Sequence, residues 1–300
     1  MTKISRRTAL QSTLTGAVGM AGLGLLSNGA RAATSSSPSA LPDFTDPLIA
    51  HKAHVKMVGS TGNEPVYTFY RLNIYGDLGA GNFVPFFTMN NVLVDYWQAL
   101  EDNQHEMRKY EVGFYTRIDS QEPLEYFDNP VTGKRVNVHH FRLGPVPRMY
   151  TVDGVIAMGY NPSPLPIEVI GDRVFLATQS IENTPDRVRP GETNYVNSFS
   201  TFSARLADII DPNVTSAPNH AQLQNKNKWA PWFGMGDRPG GTVARGFGTK
   251  IKNLDALPPV VMAGVKRFVP EILDTQNWTE FKFEDSEYLS EQTAKEKAAS

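Results

Sequence analysis

Eight segments of this chain are rich in aromatic and β-branched residues, and each is closed off by glycine, proline, asparagine or aspartate. That succession constrains the fold more than any other feature. The first, Val66–Tyr75, runs Val-Tyr-Thr-Phe-Tyr-Arg-Leu-Asn-Ile-Tyr. Phe83–Met89, Lys109–Ile118, Arg135–Leu143, Arg148–Tyr160, Arg173–Ser180, Thr193–Arg205 and Thr242–Ile251 follow the same style. Leu124–Asp128 and Arg135–Phe141 flank Asn129-Pro130-Val131-Thr132-Gly133, which predicts a hairpin: proline sets φ and glycine admits a positive φ. Many strands at short spacing predict a mainly β protein, an antiparallel β-barrel or sandwich, with a calycin-like barrel as one form.

Helical spacing is scarce, and one or two short helices are expected. Asn91–Asp102 sets Val92, Leu93, Tyr96, Trp97 and Leu100 on one stripe and predicts a helix. Pro259–Leu273 opens with proline and aligns Val261, Val265, Phe268 and Ile272; Pro270 should kink or shorten it.

The N-terminus has the order of an export signal. Arg6-Arg7 precedes a weakly apolar Gly/Ala-rich run from Leu14 to Leu26, and Ala30-Arg31-Ala32 forms a small-x-small cleavage site. The arginine pair and the low hydrophobicity point to the twin-arginine export machinery as a partner, and to a periplasmic or secreted product. The expected organisation is a signal peptide at 1–32, a linker at 33–47, a single β-rich domain at 48–283 and a charged tail at 284–300. Removing residues 1–32 leaves 25 basic and 31 acidic residues, a net charge of −6. That balance argues against a sequence-independent hold on nucleic acid. No later run is apolar for 18 residues, so no membrane association is expected after cleavage.

The chain has no cysteine, which excludes disulfides, thiolate metal sites, iron–sulfur clusters and a cysteine nucleophile. It also lacks a phosphate loop, a His-Glu-x-x-His pair, a Gly-x-Ser-x-Gly elbow and a strand-to-helix Gly-x-Gly-x-x-Gly. Gly234-Met235-Gly236 and Gly246-Phe247-Gly248 are read as turns or bulges. Neither a cofactor nor a metal site is expected. His139 and His140 are adjacent on a predicted strand and would face opposite ways. His51 and His54 have helical spacing but no third local ligand.

Strand alternation sorts the polar residues by face. Arg71 shares a side of its strand with Tyr67, Phe69, Asn73 and Tyr75, and Glu111 shares one with Gly113 and Tyr115. A lumen holding Arg71, Glu111, Tyr115 and His140 would be an aromatic pocket with polar handles, suited to a small organic ligand. Alternation cannot say which side is inward, so cross-strand ion pairs facing solvent remain the other reading. Trp229-Ala230-Pro231-Trp232-Phe233 is the densest aromatic segment. It is read either as core beneath a loop or as a stacking lid, with Arg245 and Lys250 as cationic partners for a ligand.

Several motifs together resemble a known family. They are Tyr110-Glu111-Val112-Gly113-Phe114-Tyr115, Asn129-Pro130-Val131-Thr132-Gly133, Gly144-Pro145-Val146, and Trp229 to Gly236 followed by Gly248-Thr249-Lys250. Over residues 50–280 the chain resembles the domain of unknown function 1838 family, with Asp119-Ser120-Gln121-Glu122 in place of the usual Thr-Gly turn. The resemblance implies one domain, often exported, and carries over no activity and no catalytic residues. The function expected from the residues is a cofactor-free enzyme of isomerase, cyclase, hydratase or lyase type acting on a small hydrophobic molecule. In it Glu111 or His140 would move protons, and Tyr115 with Arg71 would stabilise negative charge. The alternatives are a carrier using the same cavity, and a metal-dependent oxidoreductase drawing His140 and Glu111 together.

Overall fold

The computed structural model describes residues 41–157, 164–185 and 193–278. The expected signal peptide, most of the linker, the tail and the end of the Arg148–Tyr160 segment lie outside them. The fold is mainly β: ten antiparallel strands form one sheet curled into a half-barrel, accompanied by three short helices. The strands are β1 (Pro65–Asp77), β2 (Phe83–Ala99), β3 (His105–Thr116), β6 (Phe141–Thr151), β7 (Gly154–Ala157), β8 (Pro164–Ile170), β9 (Arg173–Pro185), β10 (Thr193–Arg205), β11 (Asn219–Asn227) and β12 (Gly241–Ile251). Their order is β7-β6-β3-β2-β1-β12-β11-β10-β9-β8. Each half is a meander, and β12 returns to pair with β1 over its whole length. A separate hairpin, β4 (Tyr126–Asp128) with β5 (Arg135–Asn137), sits on the Asn129–Gly133 turn as expected.

Two expectations change. Asn91–Asp102 is no helix; through Ala99 it continues β2, paired with β1 on one side and β3 on the other. Val92 and Val94 are buried on the outer face, and Leu93 and Trp97 on the inner one. With both faces buried, the period-two signal disappears and apolar residues fall at helical spacings by coincidence. His139 and His140 lie not on a strand but in the link between β5 and β6.

The outer face of β2 and β3 is covered by α3 (Pro259–Phe268), which sets Val261 and Val265 against Val92, Val94, Val112 and Phe114. Gly264 is needed there, because a Cβ would sit 2.3 Å from the Phe114 ring. Pro270 ends the helix as expected and starts a 3-10 turn, Pro270–Leu273.

The two ends of the half-barrel are stopped differently. At the start of β1 and β3 lies α1 (Pro47–Val58), capped by Asp46, whose carboxylate accepts from the amides of Leu48 and Ile49. Its buried residues face both ways. Val55 joins Trp97, Met107, Tyr150 and Val155, while Ala53 and Met57 join a cluster from β9, β10 and α2 (Leu206–Ile210). At the end of β3, Phe86, Phe87, Tyr115, Phe127, Trp232 and Phe233 close the barrel.

Candidate functional site

Between α1 and this aromatic cap the inner face encloses a cavity of about 620 Å³, a size common among small-molecule sites. Cross-strand register decides what points into it. Leu72 stands beside Met89, and Met89 beside Tyr115; Thr68 stands beside Leu93, and Leu93 beside Glu111. The even-numbered residues of β1 are therefore inward, and β2 and β3 contribute their odd ones. Room for Tyr70 comes from β12, where Gly248 lies opposite it; a Cβ there would sit 2.2 Å from the phenol ring. Gly246-Phe247-Gly248 is thus regular strand and neither turn nor bulge, whereas Gly234 and Gly236 do take positive φ in a turn.

The charged groups of the cavity other than Lys228 gather toward the α1 end. Asp95, Lys109, Glu111 and Arg148 all line it. Lys109 pairs with Glu111, and the Asn91 amide donates to the Glu111 carboxylate at 3.0 Å. Asp95 is the unusual member. Burial pushes its carboxyl up to about 7, with Lys109 and Arg148 pulling the other way and Glu111 adding to the rise. Its Oδ1 is buried and accepts no hydrogen bond among the described residues. Burial, reinforced by Asp95 and Glu111, raises the Tyr70 phenol far above its ordinary value, so it stays a neutral donor. Burial does the same to Tyr115.

A histidine cluster closes the α1 end. His51 Nε2 lies 3.2 Å from His105 Nδ1, and His54, which lines the cavity, meets the Tyr150 ring edge-on at 5.7 Å. Burial and mutual repulsion bring His54 and His105 down to about 4, and burial lowers His51 as well. Among the described residues no three metal-ligating His, Asp or Glu side chains converge.

The expected site residues separate. Glu111 and Tyr115 both line the cavity. His140 is not part of the lining; it stacks on Tyr115 at 6.0 Å, packs on Phe268 at 4.5 Å, and is held down to about 4 by burial, then Arg142 and His139. Arg71 points to the opposite face, where its Nε donates to Asn90 Oδ1 at 3.3 Å and its guanidinium lies over the Phe69 ring at 5.8 Å. Trp229 and Trp232 are buried in the aromatic cap; Trp232 stacks on Phe87 at 5.7 Å, and Trp229 donates to the Arg238 carbonyl. Their neighbours Ala230 and Phe233 reach the cavity instead. Arg245 is exposed on the outer face. Lys250 faces inward but is absorbed by α1: its Nζ donates to the carbonyls of Lys56 and Gly59 and to Ser216 Oγ. Burial brings that ammonium down to about 7.

Asp95 escaped the sequence reading because it lay in the segment read as a helix. A signal was present: it is the one acid inside Val92-Leu93-Val94-Asp95-Tyr96-Trp97, and a lone acid in an apolar run is informative.

The inner-face motifs, the Asn129–Gly133 hairpin and the aromatic cap all fall within residues 63–287, which match the model of the family described as "Protein of unknown function (DUF1838)". The chain belongs to the DUF1838 family. The match covers all ten strands of the DUF1838 sheet and starts just after α1. No curated protein matches the sequence.

Proposed function

We propose that this DUF1838 protein is an acid–base enzyme of isomerase, cyclase, hydratase or lyase type, acting without a resident cofactor on a small, largely apolar molecule held in the barrel. One observation carries the reading: a carboxyl on the cavity wall, Asp95, has a proton affinity near neutrality and an oxygen with no donor among the described residues. A group that exchanges its proton near pH 7 is what general acid–base catalysis needs. Tyr70 and Tyr115 supply neutral hydrogen-bond donors for developing negative charge, and the Lys109–Glu111 pair sets the local field. A carrier has no use for so many convergent titratable groups, which weighs against that alternative.

The experiment is run in deuterated water. Wild-type protein and Asp95→Asn are each incubated with a small-molecule extract, and mass spectrometry follows each compound. Wild type should consume a compound or place deuterium on one of its carbons, and Asp95→Asn should do so at least a hundredfold more slowly. Equal behaviour of the two proteins would overturn the reading. A compound that co-purifies without ever exchanging would favour the carrier.

We also propose export through the twin-arginine machinery to the periplasm or beyond, from Arg6-Arg7 and Ala30-Arg31-Ala32. Replacing both arginines by lysine should trap the precursor in the cytoplasm. Normal export of that variant would refute the route.

A further inference from the structure

The two walls of the cavity are chemically unlike. Toward the aromatic cap, Leu72, Ile74, Phe87 and Met89 from β1 and β2 make one wall apolar, whereas Thr68, Asn91 and Asp95 make the same strands polar toward α1. The strands β9, β10 and β11 present Thr178, Ser180, Ser198, Ser200, Asn225 and Asn227, with Leu223 and Phe202 following toward α1. Register makes these a belt rather than a scatter. Ser180, Ser198 and Asn225 stand side by side on three successive strands; in the next row Thr178 and Ser200 are paired and Leu223 ends the belt on β11. The alternation of β10 is inverted at this point: Ser198 and Ser200 face the cavity, while Phe199 between them is turned outward and 44% exposed. Barrel interiors ordinarily take the apolar residue, so the inversion needs a reason.

The belt retains hydrogen-bonding capacity. Ser198 Oγ donates to Asn225 Oδ1 at 2.6 Å, and among the described residues the Asn225 Nδ2 hydrogens have no acceptor. Asn227 Oδ1 is buried and accepts nothing among the described residues. A buried acceptor left without a donor is destabilising, and a ligand hydroxyl offsets that cost. A fatty chain would strand these groups, and a fully hydroxylated molecule would waste its polarity on Leu72, Ile74, Phe87 and Met89. Charged groups of both signs line the cavity, Asp95 and Glu111 with Lys109, Arg148 and Lys228.

We infer that the occupant is a facially amphipathic polyol: a rigid polycyclic hydrocarbon of steroid or terpenoid type, with hydroxyls along one face and hydrocarbon along the other. This deepens the proposed function and shares its cavity, but it rests on the β9–β11 wall and not on Asp95.

Titration calorimetry tests it with two probes that share a skeleton and a carboxylate. Cholate carries three hydroxyls on one face, and cholanate carries none. Cholate should bind at least tenfold more tightly, although cholanate is the more apolar. The double variant Ser198→Ala, Ser200→Ala should lose that preference while binding cholanate as wild type does, which also shows that the variant is folded. Cholanate binding as tightly as cholate, no binding of either, or a preference untouched by the double variant would each overturn the inference; the last would make the belt a wetted wall only. Asp95→Asn should keep the preference. If that variant exchanges deuterium like wild type while the cholate preference stands, the catalytic reading fails and the ligand class survives.

Discussion

Asp95 holds a carboxyl in a place that favours its neutral form, and that has a consequence for stability apart from any role in turnover. Its folded value, about 7, lies above the ordinary 3.8. The native state therefore holds the proton more tightly than the unfolded chain between those values. Its contribution to stability is fully present below about pH 4 and is lost as the pH rises through 7. Asparagine has the same shape and never ionises. The excess stability of Asp95→Asn over wild type in thermal unfolding should grow from pH 4.5 to pH 8 by on the order of 3 kcal/mol. A variant less stable at pH 8 would show that the ionised carboxylate is a well-paired partner of Lys109 and Arg148. The expected gain in stability on losing a candidate catalytic group is the trade-off common at functional sites.

At the scale of elements, the sequence spoke clearly wherever one face was buried and the other was wet. The hairpin around Asn129–Gly133, the start of α3 at Pro259 and its end at Pro270 all needed only local turn and cap chemistry. Legibility failed where burial was two-sided. The second half of β2 was lost because α3 and the cavity cover both its faces, and with it went Asp95. Arg71 was grouped correctly with its alternate neighbours but could not be assigned a side, since Tyr67 and Phe69 on that side are themselves packed against the outer core. β11, with Gln222, Gln224 and Lys226 outward, shows only Ala221 and Leu223 as an apolar signal. Lys250 illustrates a different limit: nothing local announces that α1 ends upon it. Its Nζ bonds to Lys56 O, Gly59 O and Ser216 Oγ satisfy carbonyls at the α1 C-terminus that the helix itself leaves open. Lys250→Met keeps most of the volume and removes the donors. It should destabilise the protein by about 1–3 kcal/mol in urea unfolding. Unchanged stability would mean that water replaces the ammonium there.

On the scale of the whole molecule, the sheet is two meanders joined at β12 and β1, and among the described residues β7 and β8 are edges that pair with no further strand. α1 ties those two sides together. Val55 packs in a cluster with Val155 of β7, and Ala53 and Met57 pack in one that touches Ile167 and Val169 of β8. The barrel's closure therefore depends on a helix that carries two buried histidines, His51 and His54, against His105 of β3. The charged groups acting on this trio are Lys52 and the histidines themselves, with backbone bonds from Asn103 and Thr151 favouring charge on His51 only in part. The folded values of His54 and His105, about 4, lie below the ordinary 6.5. The unfolded chain then binds more protons than the native one between these values. Stability is full above pH 6.5 and falls as the pH drops toward 4, at up to about 1.4 kcal/mol per pH unit for each histidine. Asp95 works in the opposite sense over much of the same range, but it is one group against His54, His105, His140 and the lowered His51. Urea unfolding at pH 7, 5.5 and 4.5 should show net acid lability. His54→Leu, which keeps an apolar contact with Tyr150, should make the decline shallower by close to one proton. An unaltered slope in His54→Leu would mean that His54 is free to charge in the folded state, and that the α1 end is more open to water than its packing implies.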